Sequence, residues 1–234
     1  MARQQDAPTL LSVIVPVYNE AKTIRQILAQ VRAVDLGPNV TCEIIVVDDF
    51  STDDTVAALE AEREHPCTYV IRHQRNRGKG AAVRTGLAAA QGDILLIQDA
   101  DLEYDPRDYP ALLRPILEGR AKAVYGSRFL GEHKAMYFWY TVGNKSLTLI
   151  TNMLFDTTLT DMETCYKVFT ADVARSFRLN SDRWGIDPEI TAKILGGRMR
   201  SSDRLQRRIQ EGKKISWRDG FRVLAALIRY RFSE

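Results

Sequence analysis

Four carboxylates crowd the stretch LLIQDADLEYDP, Leu95–Pro106: Asp99, Asp101, Glu103 and Asp105. Like charges this close repel one another, so the pattern calls for a cation. Residues at i and i+2 of an extended chain lie about 6–7 Å apart and point the same way, so Asp99 and Asp101 can grip one hard divalent ion. Mg²⁺ or Mn²⁺ suits such a pair, because Mg²⁺ uses one or two carboxylates and lets the phosphates of a ligand complete its coordination shell. Glu103 is a candidate third ligand. Asp105, followed by Pro106, has the pattern of a helix N-cap with proline at the first helical position. A plain acidic turn is the competing explanation of the D-x-D.

Two other polar clusters follow hydrophobic runs, VPVYNE (Val15–Glu20) and VVDDFSTDDT (Val46–Thr55). In the second, Ser51 or Asp53 caps a helix that opens at 52–55. Asp48 and Asp49 precede that cap, and one of them is placed to accept hydrogen bonds from a base or a ribose. In the first, Tyr18 can stack on a base and Glu20 can hold a ribose; alternatively, Asn19 caps the helix that follows. The basic, glycine-rich stretch QRNRGKGAAVRTG (Gln74–Gly86) opens another helix without either Walker or dinucleotide spacing. Helix N-termini rich in glycine favour anions, so Arg77 or Lys79 can touch a nucleotide; a tight turn explains the glycines equally well.

What positions these clusters is a rhythm of short apolar runs and helix-spaced segments. Runs at 12–17, 43–47, 68–72, 94–98 and 122–127 are nearly continuous in Val, Ile and Leu, as strands buried on both faces are. Between them, 21–33, 52–64, 79–90 and 107–118 carry helical spacing. This βαβα order predicts an α/β, Rossmann-like fold, its mainly parallel sheet flanked by helices, with all three clusters on one edge. After about residue 130 the pattern turns helical, at 138–155, 170–178, 188–196 and 216–231.

Composition is that of a soluble globular chain, 45% hydrophobic and 27% charged over 234 residues. The net charge of +3 conceals an asymmetry: residues 198–231 carry eleven Lys/Arg against three acids, so the remainder is acidic by about five charges. Such a division suits a metal at one end and anions at the other. Three cysteines without metal spacing are read as reduced thiols. The start, MARQQDAPTL, has no apolar run, and no stretch approaches the 18 or so residues that span a bilayer. We therefore expect one domain, 1–197, with a basic appendage, 198–234, in the cytoplasm.

In this order, SVIVPVYNE, IIVVDDFSTDDT, NRGKGAAVRTG, DILLIQDADLEYDP and AVYGSRF resemble family 2 inverting glycosyltransferases of the GT-A fold. TDMETCYKVF, WGIDPEITAKI and EGKKISWRDGF narrow the resemblance to the polyprenyl-phosphate, dolichyl-phosphate mannose synthase-like branch. The resemblance implies metal binding by Asp99, Asp101 and Glu103, and nucleotide-sugar binding by Pro16, Tyr18, Glu20, Asp48 and Asp49; Lys79, from the helix start above, and Asp99 join that nucleotide-sugar set. It implies Arg128 on the acceptor phosphate, with Lys145 as a second contact. Asp101, Arg128 and Asp161 become the candidate catalytic residues. One departure stands out: RMRSSDRLQRRIQEGKKI is polar where relatives have a strand and then an arginine, so Arg207 or Arg208 takes that arginine's place.

The reaction implied is sugar transfer from a UDP- or GDP-sugar to a polyprenyl phosphate, dependent on Mg²⁺ or Mn²⁺. A phosphate monoester, largely ionised at pH 7, needs no general base; Asp161 and Glu163 are the candidates if one is required. The segment SWRDGFRVLAALIRYRF reads either as a basic amphipathic helix for an anionic membrane surface or as an ordinary packed helix. The expected location is the cytosolic face of a membrane, reached directly or through an anchoring protein. Alternatives are transfer to a hydroxyl of a soluble acceptor and a non-catalytic nucleotide-sugar-binding module. Nucleic acid is not an expected partner, since no aromatics are interleaved along the basic tail.

Overall fold

The computed structural model describes residues 8–130, 137–183 and 185–200, with side chains up to residue 196. Residues through Leu195 form one compact unit and those from Gly196 a second. Arg207, Arg208 and the helix expected at 216–231 lie outside the described residues.

The first half alternates as its apolar rhythm requires: β1 (Thr9–Val17), α1 (Ile24–Arg32), β2 (Val40–Asp48), α2 (Thr55–Glu60), β3 (Thr68–Arg72), α3 (Lys79–Ala89) and β4 (Ile94–Ile97). A 3-10 turn over Pro106–Asp108 leads into α4 (Tyr109–Leu117), then β5 (Ala123–Tyr125), α5 (Phe138–Phe155), β6 (Lys167–Thr170), α6 (Ala171–Arg175) and α7 (Ile186–Arg200). The six strands form one sheet in the order β3-β2-β1-β4-β6-β5. Pairings among β1 to β4 are parallel, and β6 runs antiparallel to both β4 and β5.

Alternation along each strand sends neighbouring side chains into two different cores. Leu11, Val13 and Val15 of β1 meet Ile44 and Val46 of β2 and Leu96 of β4 on one face, covered by α1, α2 and α4. On the other face Ile14, Leu95 and Ile97 pack with Val83 of α3 and with Ile186 and Ile190 of α7. Burying each such side chain contributes about 1.5–3 kcal/mol. Both faces are covered, which is why these strands read as continuous apolar runs.

Two expectations need correction. The region after residue 130 is not all helical: β6 is a strand, inserted between β4 and β5. It carries Lys167, wholly buried, in a four-residue run too short and too polar to announce itself. The helix expected over 52–64 is confined to Thr55–Glu60. Neither Ser51 nor Asp53 is the cap of that helix: its N-cap is Asp54, whose side chain makes no cap bond, while Asp53 accepts the Thr55 N–H at 3.0 Å from just outside it, and Asn19 does not cap α1.

Among the described residues, no helix is long and apolar enough to cross a membrane. The three cysteines are free thiols.

Candidate functional site

The carboxyl ends of β1, β2 and β4 open together on a cavity of about 460 Å³. Pro16, Tyr18, Glu20, Asp49, Lys79, Asp99 and Asp101 all line it, joined by Asn76 and Arg183. Each of the three strand ends turns through a left-handed non-glycine residue, Asn19 (φ +58°), Phe50 (φ +66°) and Leu102 (φ +61°). Such conformations cost of order 1–3 kcal/mol and persist where surrounding contacts enforce them. The enforcing contacts are visible: the Asn19 N–H donates to Ser51 Oγ at 2.9 Å, and Asn19 Oδ1 accepts from the Thr52 N–H at 2.8 Å. Arg72 lies 5.7 Å from the centre of the Phe50 ring.

The D-x-D is aimed by its neighbours. Gln98, fully buried, accepts from the Tyr109 and Tyr166 hydroxyls at 2.7 and 3.0 Å and donates to the Asp99 carbonyl at 2.8 Å. Lys79 Nζ lies 2.8 Å from Asp99 Oδ1 and 4.0 Å from Asp187 Oδ2. Asp187 in turn holds the buried Lys167 at 2.6 Å. Charges thus alternate from Asp99 to Lys79 to Asp187 to Lys167. Burial works against the charge on Lys79, but the acids around it outweigh burial and hold its pKa above the ordinary lysine value. Partial enclosure pushes the Asp101 carboxyl up, and the nearby Asp99 charge adds to the shift; the Glu103 N–H and the same Lys79 charge act to lower it but do not prevail.

The donor set suits a hard divalent cation, being two carboxylates with the phosphates of a ligand left to complete the shell. Among the described residues no cluster of three or more His, Cys, Asp or Glu side chains is assembled for a metal. Glu103 gives its backbone N–H to Asp101 Oδ1 at 3.0 Å and does not line the cavity.

Asp48 and Asp49 part company. Asp48 accepts from the Ser51 N–H at 3.0 Å, pairs with Arg72 at 3.1 Å and stays out of the cavity lining. Asp49 lines the cavity while binding His73 Nδ1 at 2.7 Å and the N–H groups of Arg77 and Gly78 at 2.9 and 2.6 Å. It therefore orders the glycine-rich turn. The glycines there have a further cause. Gly78 sits at φ +94°, and a Cβ on Gly78 or Gly80 would collide with the backbone of residues 181–182. Arg84 binds that same backbone, its Nη1 donating to the Ser181 carbonyl at 2.6 Å. This close approach carries Arg183 to the cavity. Gly80→Ala is expected to cost about 1–3 kcal/mol by overpacking, a Tm lower by roughly 3–10 °C, and to weaken nucleotide binding; calorimetry with and without nucleotide checks both.

Beyond the D-x-D, the GSRF turn after β5 presents Arg128. Asp161, fully buried, accepts from Arg128 Nε at 2.8 Å, Nη2 at 2.9 Å and its backbone N–H at 3.1 Å. Those hydrogen bonds, with Tyr104 and Glu103 nearby, hold the guanidinium charged. Lys145 of α5 lies 5.3 Å from the Phe129 ring, beside the same turn. Neither Arg128 nor Lys145 lines the nucleotide-sized cavity.

Residues 12–178 match the glycosyl transferase family 2 model. The chain belongs to that family. A dolichyl-phosphate beta-glucosyltransferase of Drosophila melanogaster is 34% identical over 206 residues, covering 80% of this chain and 63% of its own length. The dolichol-phosphate mannosyltransferase of Pyrococcus furiosus is 36% identical over 121 residues, 51% of this chain and 33% of the relative. The chain thus spans less than two thirds of these curated relatives. Among solved structures, glucosyl-3-phosphoglycerate synthase of Mycobacterium tuberculosis, in complex with Mn²⁺, UDP and glucosyl-3-phosphoglycerate, superposes with a TM-score of 0.63 at 23% identity. That match covers 80% of this chain and 67% of the other and speaks for the GT-A fold.

Asn76, Arg183, Asp187, His73 and Gln98 were not singled out from sequence. Only Asp187 left a trace, as an acid next to Pro188 at a helix start.

Proposed function

We propose that this family 2 protein is a metal-dependent inverting glycosyltransferase that moves a sugar from a UDP- or GDP-sugar to a polyprenyl phosphate. The carrying observation is that Asp99 and Asp101 share a cavity with Asp49, Glu20 and Tyr18, while Arg128 stands within electrostatic reach of Glu103 on the same acidic loop. The names of the curated relatives support the acceptor class.

An ion held by Asp99 and Asp101 would neutralise charge on the departing nucleoside diphosphate, a contribution worth several kcal/mol. The chain's own groups do the rest. Tyr18, half exposed at the cavity mouth, offers a stacking face to the base, and Glu20 an acceptor for ribose hydroxyls. Lys79, kept protonated, is a fixed cation beside the diphosphate. Arg128 grips the acceptor phosphate. Asp161 engages Nε and Nη2, so the remaining N–H groups of the fork are those a phosphate oxygen would use. With a second pKa of about 6 the phosphate arrives ionised, and its oxygen attacks the anomeric carbon without a base. Asp161 is committed to Arg128 and serves as a positioning residue.

Transfer to a hydroxyl would need a base, and Glu163 is the observation in favour of that second reading. Its enclosure, and then the charge of Asp187, push its carboxyl above the usual range, the direction that favours taking up a proton. The deciding experiment is a panel of UDP- and GDP-sugars with a short-chain polyprenyl phosphate and Mg²⁺ or Mn²⁺, scored as lipid-linked sugar. Lipid-linked product from one donor, with Glu163→Gln retaining at least a tenth of the rate, is the expected result. Product only with hydroxyl acceptors, lost in Glu163→Gln, would establish the other reading.

A further inference from the structure

A second cavity, of about 540 Å³, opens beyond the carboxyl end of β3, lined by Arg72, His73, Gln74, Arg75 and Arg77. None of these five is an acid. Three guanidiniums around one cavity repel one another, and walls of a single sign concentrate counter-ions between them. The convergence calls for an anion, as the paired aspartates call for a cation.

The cup is built on fixed parts. Arg72 pairs with the buried Asp48 at 3.1 Å and donates from Nη2 to the Ser51 carbonyl at 3.3 Å. Across the loop, Asp49 accepts the Arg77 and Gly78 N–H groups at 2.9 and 2.6 Å. Buried His73 has both ring nitrogens engaged, with Asp49 at 2.7 Å and Thr85 Oγ1 at 2.9 Å, so it supplies wall. The backbone is therefore pinned on both sides of Arg75. The Arg75 and Arg77 side chains are exposed and form no ion pair among the described residues.

The same loop separates two cavities. Asn76 and Gly78 line the nucleotide-sized one, while Arg75 and Arg77 line the other. Charge chooses the occupant. Asp48 balances Arg72, which leaves the two positive charges of Arg75 and Arg77 uncompensated. A phosphate monoester carries about −1.5 to −2 at pH 7 and so matches them. Guanidinium forks also meet phosphate oxygens two at a time, a geometry that chloride or a single carboxylate oxygen cannot offer.

We propose that this cup is a second anion site, which takes the phosphate monoester of a small soluble molecule and lies apart from the nucleotide-sized cavity. The proposal needs neither a sugar donor nor a lipid acceptor, so it can fail or hold independently of the transfer reading.

Inorganic phosphate is titrated into the full chain with a chelator present and ionic strength held constant with chloride, and binding is read from ³¹P line broadening. The chelator leaves Asp99 and Asp101 without a cation, so the paired carboxylates repel the probe. The expected result is saturable binding that is at least tenfold weaker in Arg75→Glu and several-fold weaker in Arg77→Gln, which keeps the N–H bonded to Asp49. Both side chains are exposed, so each variant should keep the wild-type Tm. Arg183→Gln, which alters the nucleotide-sized cavity, should bind phosphate as the wild type does. Three outcomes would overturn the proposal. One is the absence of saturable phosphate binding. Another is binding lost in Arg183→Gln but kept in Arg75→Glu, which puts the phosphate in the nucleotide-sized cavity. The third is no binding of free phosphate but Arg75-dependent binding to phosphatidylglycerol vesicles, which assigns the cup to a lipid headgroup.

Discussion

Replacing Asp101 by Ala is expected to cut sugar transfer by about a thousandfold, equivalent to roughly 4 kcal/mol of lost transition-state stabilisation. The fold should not suffer. Asp101 lines the cavity, and it accepts a local hydrogen bond from the Glu103 N–H at 3.0 Å. Stripping divalent ions with a chelator should mimic the substitution, and added Mg²⁺ or Mn²⁺ should restore the wild type but not the variant. Lipid-linked sugar formation is the readout. Asp101→Asn separates function from stability. The folded protein holds the Asp101 proton more tightly than the unfolded chain does, whose aspartates titrate near 3.9. Ionising Asp101 therefore weakens the fold as pH rises through its raised folded value, and nothing is lost below about pH 4. Asp101→Asn should raise Tm at pH 7, leave it unchanged at pH 3, and still abolish transfer. An active Asp101→Ala enzyme would remove the metal from the mechanism.

The second large effect is at Arg128, and it is asymmetric. Asp161 is wholly buried, whereas the Arg128 side chain keeps 23% exposure. Arg128→Ala strands a buried carboxylate, at a cost of about 3–5 kcal/mol, which for a chain of this size lowers Tm on the order of 10 °C. Acceptor-dependent transfer should vanish with it. Asp161→Asn leaves a guanidinium that water can still reach. It should lose less stability and about 30–100-fold in kcat/KM for the acceptor, with the shape of the pH profile unchanged because no base has been removed. Adding Asp161→Asn to Arg128→Ala should recover stability, since it removes the stranded charge, without further loss of activity. A pH profile that loses its acid limb in Asp161→Asn would instead make Asp161 a base. Arg128→Lys keeps the charge but not the two-pronged geometry and should remain at least tenfold impaired.

Much of this architecture was legible where burial leaves a simple pattern. The strands β1, β2 and β4 are covered on both faces, so their apolar runs are unbroken, and the loops after them carry the acids that Rossmann-like topology gathers at one edge. Helix α5 was readable to its ends, 138–155, because helical spacing does not depend on which way a face points. Its direction was not readable: an apolar stripe is expected inward, yet Met153 and Leu154 lie exposed while Thr148 bonds the Met162 N–H and Asn152 the Leu159 backbone. β6 escaped notice because Lys167 is satisfied by Asp187, twenty residues away in the chain. The roles of Asp48 and Asp49 could not be divided from their adjacency, since the difference is which one meets Arg72 and which meets His73. The glycines of the NRGKG turn are explained by a loop a hundred residues further on, and no local pattern contains that loop.

The insertion of β6 has a mechanical consequence. Because it is laddered to β4 on one side and to β5 on the other, the strand feeding the D-x-D and the strand feeding Arg128 belong to one rigid plate. The two reactants cannot be brought together by a clamshell swing of separate lobes about a hinge. Among the described residues, movement here is left to the connecting loops, while the spacing between the strand that feeds the paired aspartates and the strand that feeds the arginine fork is set by the sheet.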